Sequence, residues 1–118
     1  MKYNSLEPFV PSGKDFQKSK GLFLELGFKI TWEASDYVGF ENNNCRFILQ
    51  NFDNKEFAEN FMLSVKVDNL DEFYGEISTL NLPEKFGVKL NAPKNFPWGR
   101  EVNLIDLAGV CWHFAEAK

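Results

Sequence analysis

An α+β fold of two consecutive βαβββ modules is what this sequence predicts, and three observations carry the expectation. Two amphipathic helical stripes stand at equivalent places in the two halves of the chain, Phe16 answering Leu70. Each stripe follows a short extended run and precedes segments whose apolar and polar residues alternate as strands require. Each half then closes in a hairpin whose turn, ENNN or DLAG, holds the Asn, Asp or Gly that a tight reversal needs. The 118 residues fit a single domain, 1–118, with modules of about 1–57 and 58–118. A chain of this length buries roughly two thirds of its unfolded surface.

The first strand is expected over residues 7–10, within EPFVP, where Pro8 and Pro11 stiffen an extended segment. From Asp15, DFQKSKGLFLELG sets Phe16, Ser19, Phe23 and Leu26 along one face with Leu22 beside them, and Gly27 stands where the helix should stop. Gly21 within it costs ~1 kcal/mol relative to alanine and marks a place where a neighbouring element comes close. FKITWE and the hairpin YVGFENNNCRFILQNF complete the first module. DNKEFAEN, residues 53–60, reads as a polar connecting loop. In residues 62–67, Ser64 and Lys66 alternate against Met62, Leu63, Val65 and Val67, the pattern of a strand. The next helix is better marked. In DNLDEFYGEISTL, Asn69 caps the first turn with Glu72 three residues on, and Leu70, Phe73, Tyr74, Ile77 and Leu80 form the buried stripe. GVKLN, and REVNLIDLAGVCWHF beyond the aromatic turn PWG, supply the remaining strands.

Thirteen basic and 17 acidic residues give a net charge of −4. Lys and Arg are scattered, without the clustering of a nucleic-acid footprint, so a neutral or cationic partner is favoured. The chain has neither a secretory leader pattern nor a run of about 18 apolar residues, which predicts a soluble cytoplasmic protein that does not span a membrane. Cys45 and Cys111 have no framework or ligand-like spacing and are expected to be reduced, which suits that compartment. Aromatic residues make up 16% of the chain, 13 of them Phe. They either all serve the core or are shared between core and a binding surface.

The closing segment PWGREVNLIDLAGVCWHFAE resembles the end of the bleomycin resistance proteins, where Pro-Trp-Gly-Arg-Glu precedes a strand, an Asp-Pro-x-Gly turn and a last strand ending in His-Phe. VKVDNLDEFY, residues 65–74, is similar to their second strand-to-helix passage, and LGFKI, residues 26–30, to their first helix exit. Leu107 departs from the pattern, standing where the family usually has proline. The likeness covers most of the chain and places it with the vicinal oxygen chelate superfamily, which also includes glyoxalase I and the extradiol dioxygenases. It implies the glyoxalase/bleomycin resistance fold, in which each module forms an open half-barrel sheet with a helix packed outside. It further implies a homodimer with clefts between chains that sequester a drug without making or breaking a bond.

In the superfamily's enzymes a divalent metal sits among His and Glu ligands contributed by both modules, with open positions for substrate oxygens. Carried onto this sequence, those positions fall near Pro8, on Met62, on Ile48 or Gln50, and on His113. Only His113 is a competent ligand, so no metal and no cofactor is expected, and a metal-dependent lyase or dioxygenase is the alternative. Cys111 lies two residues before His113 on the same side of a strand, which suggests either a thiolate pair or a buried thiol beside a hydrogen-bonded wall histidine. The resemblance instead implies a ligand cleft with no catalytic residue. Trp98 offers a face on which a flat heteroaromatic group could stack, or it folds onto the core. Asp36 and Tyr37 resemble the family's acidic-aromatic pair, Asp36 attracting a cationic tail. Gln50 and Phe52 extend from the hairpin strand toward the cleft, Phe40 joins them or lies in the core, and His113 lines the wall. Arg100 is expected to form a salt bridge to a carboxylate. The expected ligand is a bleomycin-type antibiotic or another aromatic or cationic small molecule. The proline-stiffened opening segment suits exchange of arms between two protomers, or simply protects a sheet edge.

Overall fold

The computed structural model describes residues 1–117; the last residue of the expected second module lies outside them. Strand β1 (Phe9–Pro11) leads to helix α1 (Phe16–Glu25), then to β2 (Lys29–Glu33), β3 (Tyr37–Asn42) and β4 (Cys45–Gln50). A short helix α2 (Lys55–Glu59) precedes β5 (Met62–Val67), α3 (Leu70–Ser78) and α4 (Leu82–Phe86). The chain ends with β6 (Lys89–Leu90), β7 (Lys94–Phe96), β8 (Gly99–Ile105) and β9 (Cys111–Glu116). The first four strands form one sheet in the order β1-β4-β3-β2, and the rest form another in the order β5-β9-β8-β6, with β7 also paired to β8. In each sheet the strand before the helix lies parallel to the last strand of its half: Phe9 opposite Ile48, and Met62 opposite Cys111. Both sheets stay open at their edges, giving the α+β glyoxalase/bleomycin resistance architecture that the sequence suggests.

Local chemistry explains the helix boundaries. Asp15 Oδ1 accepts the Lys18 N–H at 3.0 Å and starts α1; Gly27, at φ +95°, takes the left-handed conformation that ends it. Asn69 Oδ1 does the same for the Glu72 N–H at 3.0 Å in α3. The connector 53–60 is a correction to the sequence reading. Asn54 Oδ1 caps the Phe57 N–H at 2.9 Å, and the turn that follows buries Ala58 completely, so the segment is helical where polarity alone suggested a loop. Helix α4 is also absent from the sequence reading; it is held by Pro83 in its first turn and by its packing on α1. A Cβ at Gly21 would lie 3.6 Å from the Phe86 ring, an ordinary contact, so α4 comes near the glycine without requiring one there.

One hydrophobic core serves both sheets. Phe23 of α1 has its ring 4.9 Å from Phe47, 5.8 Å from Phe40 and 5.2 Å from Trp112, so residues of β4, β3 and β9 meet around a single side chain. Part of the aromatic surplus is therefore structural. The rest is outside: Phe9, Trp32, Phe52, Phe57 and Trp98 are all exposed. Because β-strand side chains alternate, turning Val38, Phe40, Phe47 and Leu49 inward turns Tyr37, Gly39, Ile48 and Gln50 outward. In the second sheet Val102, Leu104, Trp112 and Phe114 point in, leaving Glu101, Asn103, Cys111 and His113 on the outer face.

The β8–β9 turn is held by a carboxylate. Asp106 Oδ1 accepts the N–H groups of Ala108, Gly109 and Val110 at 3.0, 3.1 and 3.0 Å, and Oδ2 accepts the Trp112 indole N–H at 2.9 Å. Leu107 thus leaves the turn intact. Burial pushes the Asp106 carboxyl pKa up, opposed by these four donors. Among the described residues no helix is long and apolar enough to cross a membrane.

Candidate functional site

The outer face of the second sheet carries a compact polar cluster. Glu101 sits at its centre and is only 7% exposed. Its Oε1 lies 2.8 Å from His113 Nδ1 and accepts the Asn103 amide N–H at 3.1 Å, while Oε2 accepts the Trp98 indole N–H at 2.7 Å. Burial alone would raise the Glu101 pKa, but the bonds from His113, Trp98 and Asn103 outweigh it and hold the carboxyl below its ordinary value. Glu101 is therefore a carboxylate at neutral pH.

Trp98 occupies the turn between β7 and β8 and is 62% exposed. Its ring stacks on Phe96, with centroids 5.1 Å apart and planes 12° from parallel, and its edge is pinned to Glu101. It projects from the fold and leaves the core to others. Beside it a shallow hollow of about 270 Å³ is lined by Met62, Leu63, Ser64, Trp98, Glu101 and His113. His113 also lines it, and its Nε2 is buried and has no hydrogen-bond partner among the described residues.

Tyr37, Gln50, Asp36 and Phe52 gather elsewhere, around the outer face and end of the first sheet. Tyr37 stands opposite Gln50 and meets the Phe9 ring edge-on at 5.9 Å. Asp36 Oδ1 accepts the Asn51 amide N–H at 3.0 Å, and Phe52 packs near Phe57 at 6.3 Å. None of these four lines the hollow beside Trp98. Phe40 is corrected to the core: it is 1% exposed and stacked on Phe47, because it shares the inward phase of β3 with Val38. Arg100 makes the expected ion pair, a two-pronged contact with Asp71 of α3 at 2.9 and 3.3 Å, which ties the Trp98 turn to that helix.

The positions onto which the resemblance carries a metal's ligands offer an imidazole, a thioether, an amide and two aliphatic groups, and no group of three His, Cys, Asp or Glu among the described residues is placed to hold an ion. Cys111 does share the outer face with His113. Burial raises its thiol pKa, and the negative charges of Glu101 and Asp106 raise it further, which favours the inert thiol over a thiolate.

Glu101 and Asn103 are the site residues that sequence reasoning missed. The signal was present in the hairpin: once DLAG is a turn, Ile105 pairs with Cys111 and Asn103 with His113, and Glu101 follows on the same face. Trp32 was missed as well. Its indole covers Gly39 on the outer face of the first sheet, leaving no room for a Cβ there.

No protein-family model matches the sequence, and no curated protein matches it. Solved structures do match in fold. A bleomycin-binding protein complexed with bleomycin superposes with a TM-score of 0.83 at 20% identity, covering 98% of this chain and 100% of that one. The bleomycin-binding protein of bleomycin-producing Streptomyces verticillus, complexed with copper(II)-bleomycin, gives 0.80 at 19% identity, covering 100% and 99%. A genomically encoded fosfomycin resistance protein of Listeria monocytogenes, complexed with Mn(II) and sulfate, gives 0.74 at 13% identity, covering 100% and 93%. The fold is thus shared by drug-binding and metal-holding proteins.

Proposed function

We propose that this protein binds a small aromatic or cationic molecule without metal or catalysis, and that a bleomycin-type antibiotic is the ligand to test first. The observation that carries the reading is Trp98: an indole 62% exposed, pinned at its edge by a buried carboxylate and backed by Phe96, at the rim of a hollow. A fixed, exposed aromatic face stacks a flat heteroaromatic group at low entropic cost, and the carboxylate behind it favours positive charge. The fold shared with bleomycin-binding proteins supports the same reading.

The hollow is shallow, so a second copy of the chain completes it in this proposal. Phe9, Trp32, Met62, Trp98 and Ile105 are exposed on the outer faces of the two sheets, and pairing the first sheet of one protomer with the second sheet of its partner covers them. Tyr37, Asp36, Gln50 and Phe52 then face Trp98 and His113 across the subunit boundary. The opening segment, with Met1, Tyr3 and Leu6 exposed, is the arm such protomers exchange. A cytoplasmic location belongs to the same proposal.

Titration with metal-free bleomycin, read by tryptophan fluorescence, tests the ligand. A saturable change at micromolar drug is expected in the wild type, with Kd weakened about tenfold or more in Trp98→Ala. No change in the wild type refutes the antibiotic. A stoichiometric divalent metal in protein purified without chelator would replace this reading with that of a metal-dependent lyase or dioxygenase.

A further inference from the structure

The geometry points to Glu101 as a positioning residue that fixes His113 as the Nδ1–H tautomer, so that Nε2 is a hydrogen-bond acceptor reserved for an ammonium or amide N–H of the ligand. The site's taking a ligand rests on the binding reading above; the tautomer does not. Three groups converge on the Glu101 carboxylate, and a carboxylate can only accept. The 2.8 Å contact to Nδ1 therefore requires the proton to be on Nδ1. The Asn103 amide nitrogen, 3.1 Å from both Oε1 and Nδ1, donates to Oε1, since Nδ1 has no free lone pair to offer it.

The opposite edge of the ring then carries a bare lone pair. Nε2 is buried and unpartnered among the described residues, on a side chain that helps line the hollow with Trp98, Met62 and Ser64. Buried polar atoms are nearly always paired, and an orphan at the wall of a hollow is explained by a partner that arrives with the ligand. Met62, 65% exposed and unbranched, is the neighbour best able to move aside. A lone pair backed by a carboxylate attracts a positively charged donor and repels an anion, so ligand charge is selected here while Trp98 selects the aromatic ring. Asn103 completes the device by satisfying Oε1 from the other side, so that the carboxylate stays where Nδ1 needs it.

His113 is the only histidine in the chain, so its imidazole nitrogens give a single set of long-range nitrogen–proton NMR signals in the full-length protein. The wild type should show a pyrrole-type Nδ1 and a pyridine-type Nε2, and Glu101→Gln and Glu101→Ala should shift the balance toward mixed tautomers. Phenethylamine and phenylpropionate, alike in their ring and opposite in charge, then probe the acceptor. Phenethylamine should move the Nε2 resonance saturably and bind about tenfold more weakly to Glu101→Ala, the change expected from losing one charge-assisted hydrogen bond, while phenylpropionate should leave Nε2 unmoved. A protonated Nε2 with a bare Nδ1 in the wild type overturns the inference whether or not the variants fold. Equal responses to the two probes, or none to phenethylamine, overturn the ligand class. Silence toward bleomycin alone refutes the antibiotic and leaves the inference standing.

Discussion

At the scale of single residues, two buried carboxylates do different work on the same hairpin. Asp106 builds the turn, and losing its four accepted bonds should cost about 3 kcal/mol in Asp106→Ala, measured as a lower urea midpoint with unchanged slope. Asp106→Asn should lose less, since an amide oxygen can keep the three backbone donors. Glu101 instead organises the site and carries a pH signature. Its folded pKa lies below the ordinary value, so the stability it contributes is full above the unfolded carboxylate pKa of about 4.3 and drains away as pH falls through the folded value. The stability gap between wild type and Glu101→Gln should therefore be constant near neutrality and close on acidification. Urea titrations over that range would show it, and a gap that widens in acid would contradict the assignment.

At the scale of elements, the helices and hairpins were legible because their signals are local. The stripe from Leu70 to Ile77 and the cap at Asn69 depend on residues within a few turns of one another. Helix α2 was not legible. A five-residue helix has almost no periodicity to read, and it persists because Ala58 is buried against the rest of the molecule. The same interplay makes a prediction about Gly21. The space beside it accepts a methyl group in ordinary contact with Phe86, so Gly21→Ala should stabilise the protein by about 0.5–1 kcal/mol in denaturant unfolding. Gly39→Ala should act in the opposite sense. Its Cβ would displace the Trp32 indole, and the expected outcome is a lower unfolding midpoint together with altered tryptophan emission.

At the scale of the whole molecule, the two sheets share one core, and Phe23 is the side chain on which they meet. Phe23→Ala should cost about 4 kcal/mol and lower both halves together, so that near-ultraviolet and far-ultraviolet circular dichroism report one coincident transition. Separate transitions would show that each sheet is stable by itself. Turning the core-facing strands toward a common centre is also what leaves Phe9, Trp32, Met62 and Trp98 outside. On the proposed pairing, sedimentation should report a dimer that weakens when residues 1–8 are removed.

The sequence by itself determined the two βαβββ halves, the helix caps and the turn at Asp106, because each follows from residues close together in the chain, while the exposure of the Trp98 indole was settled by the structure. Tertiary structure decided that Phe40 belongs to the core and that the other cleft candidates of the first sheet stand apart from Trp98 within one chain. It also decided what His113 touches. Whether a lone histidine is a ligand, a base or a wall residue depends on what touches its other nitrogen, and that neighbour, Glu101, arrives from the adjacent strand through the register of a hairpin. Pairing across strands sets such contacts to within an ångström, while composition and spacing only permit them.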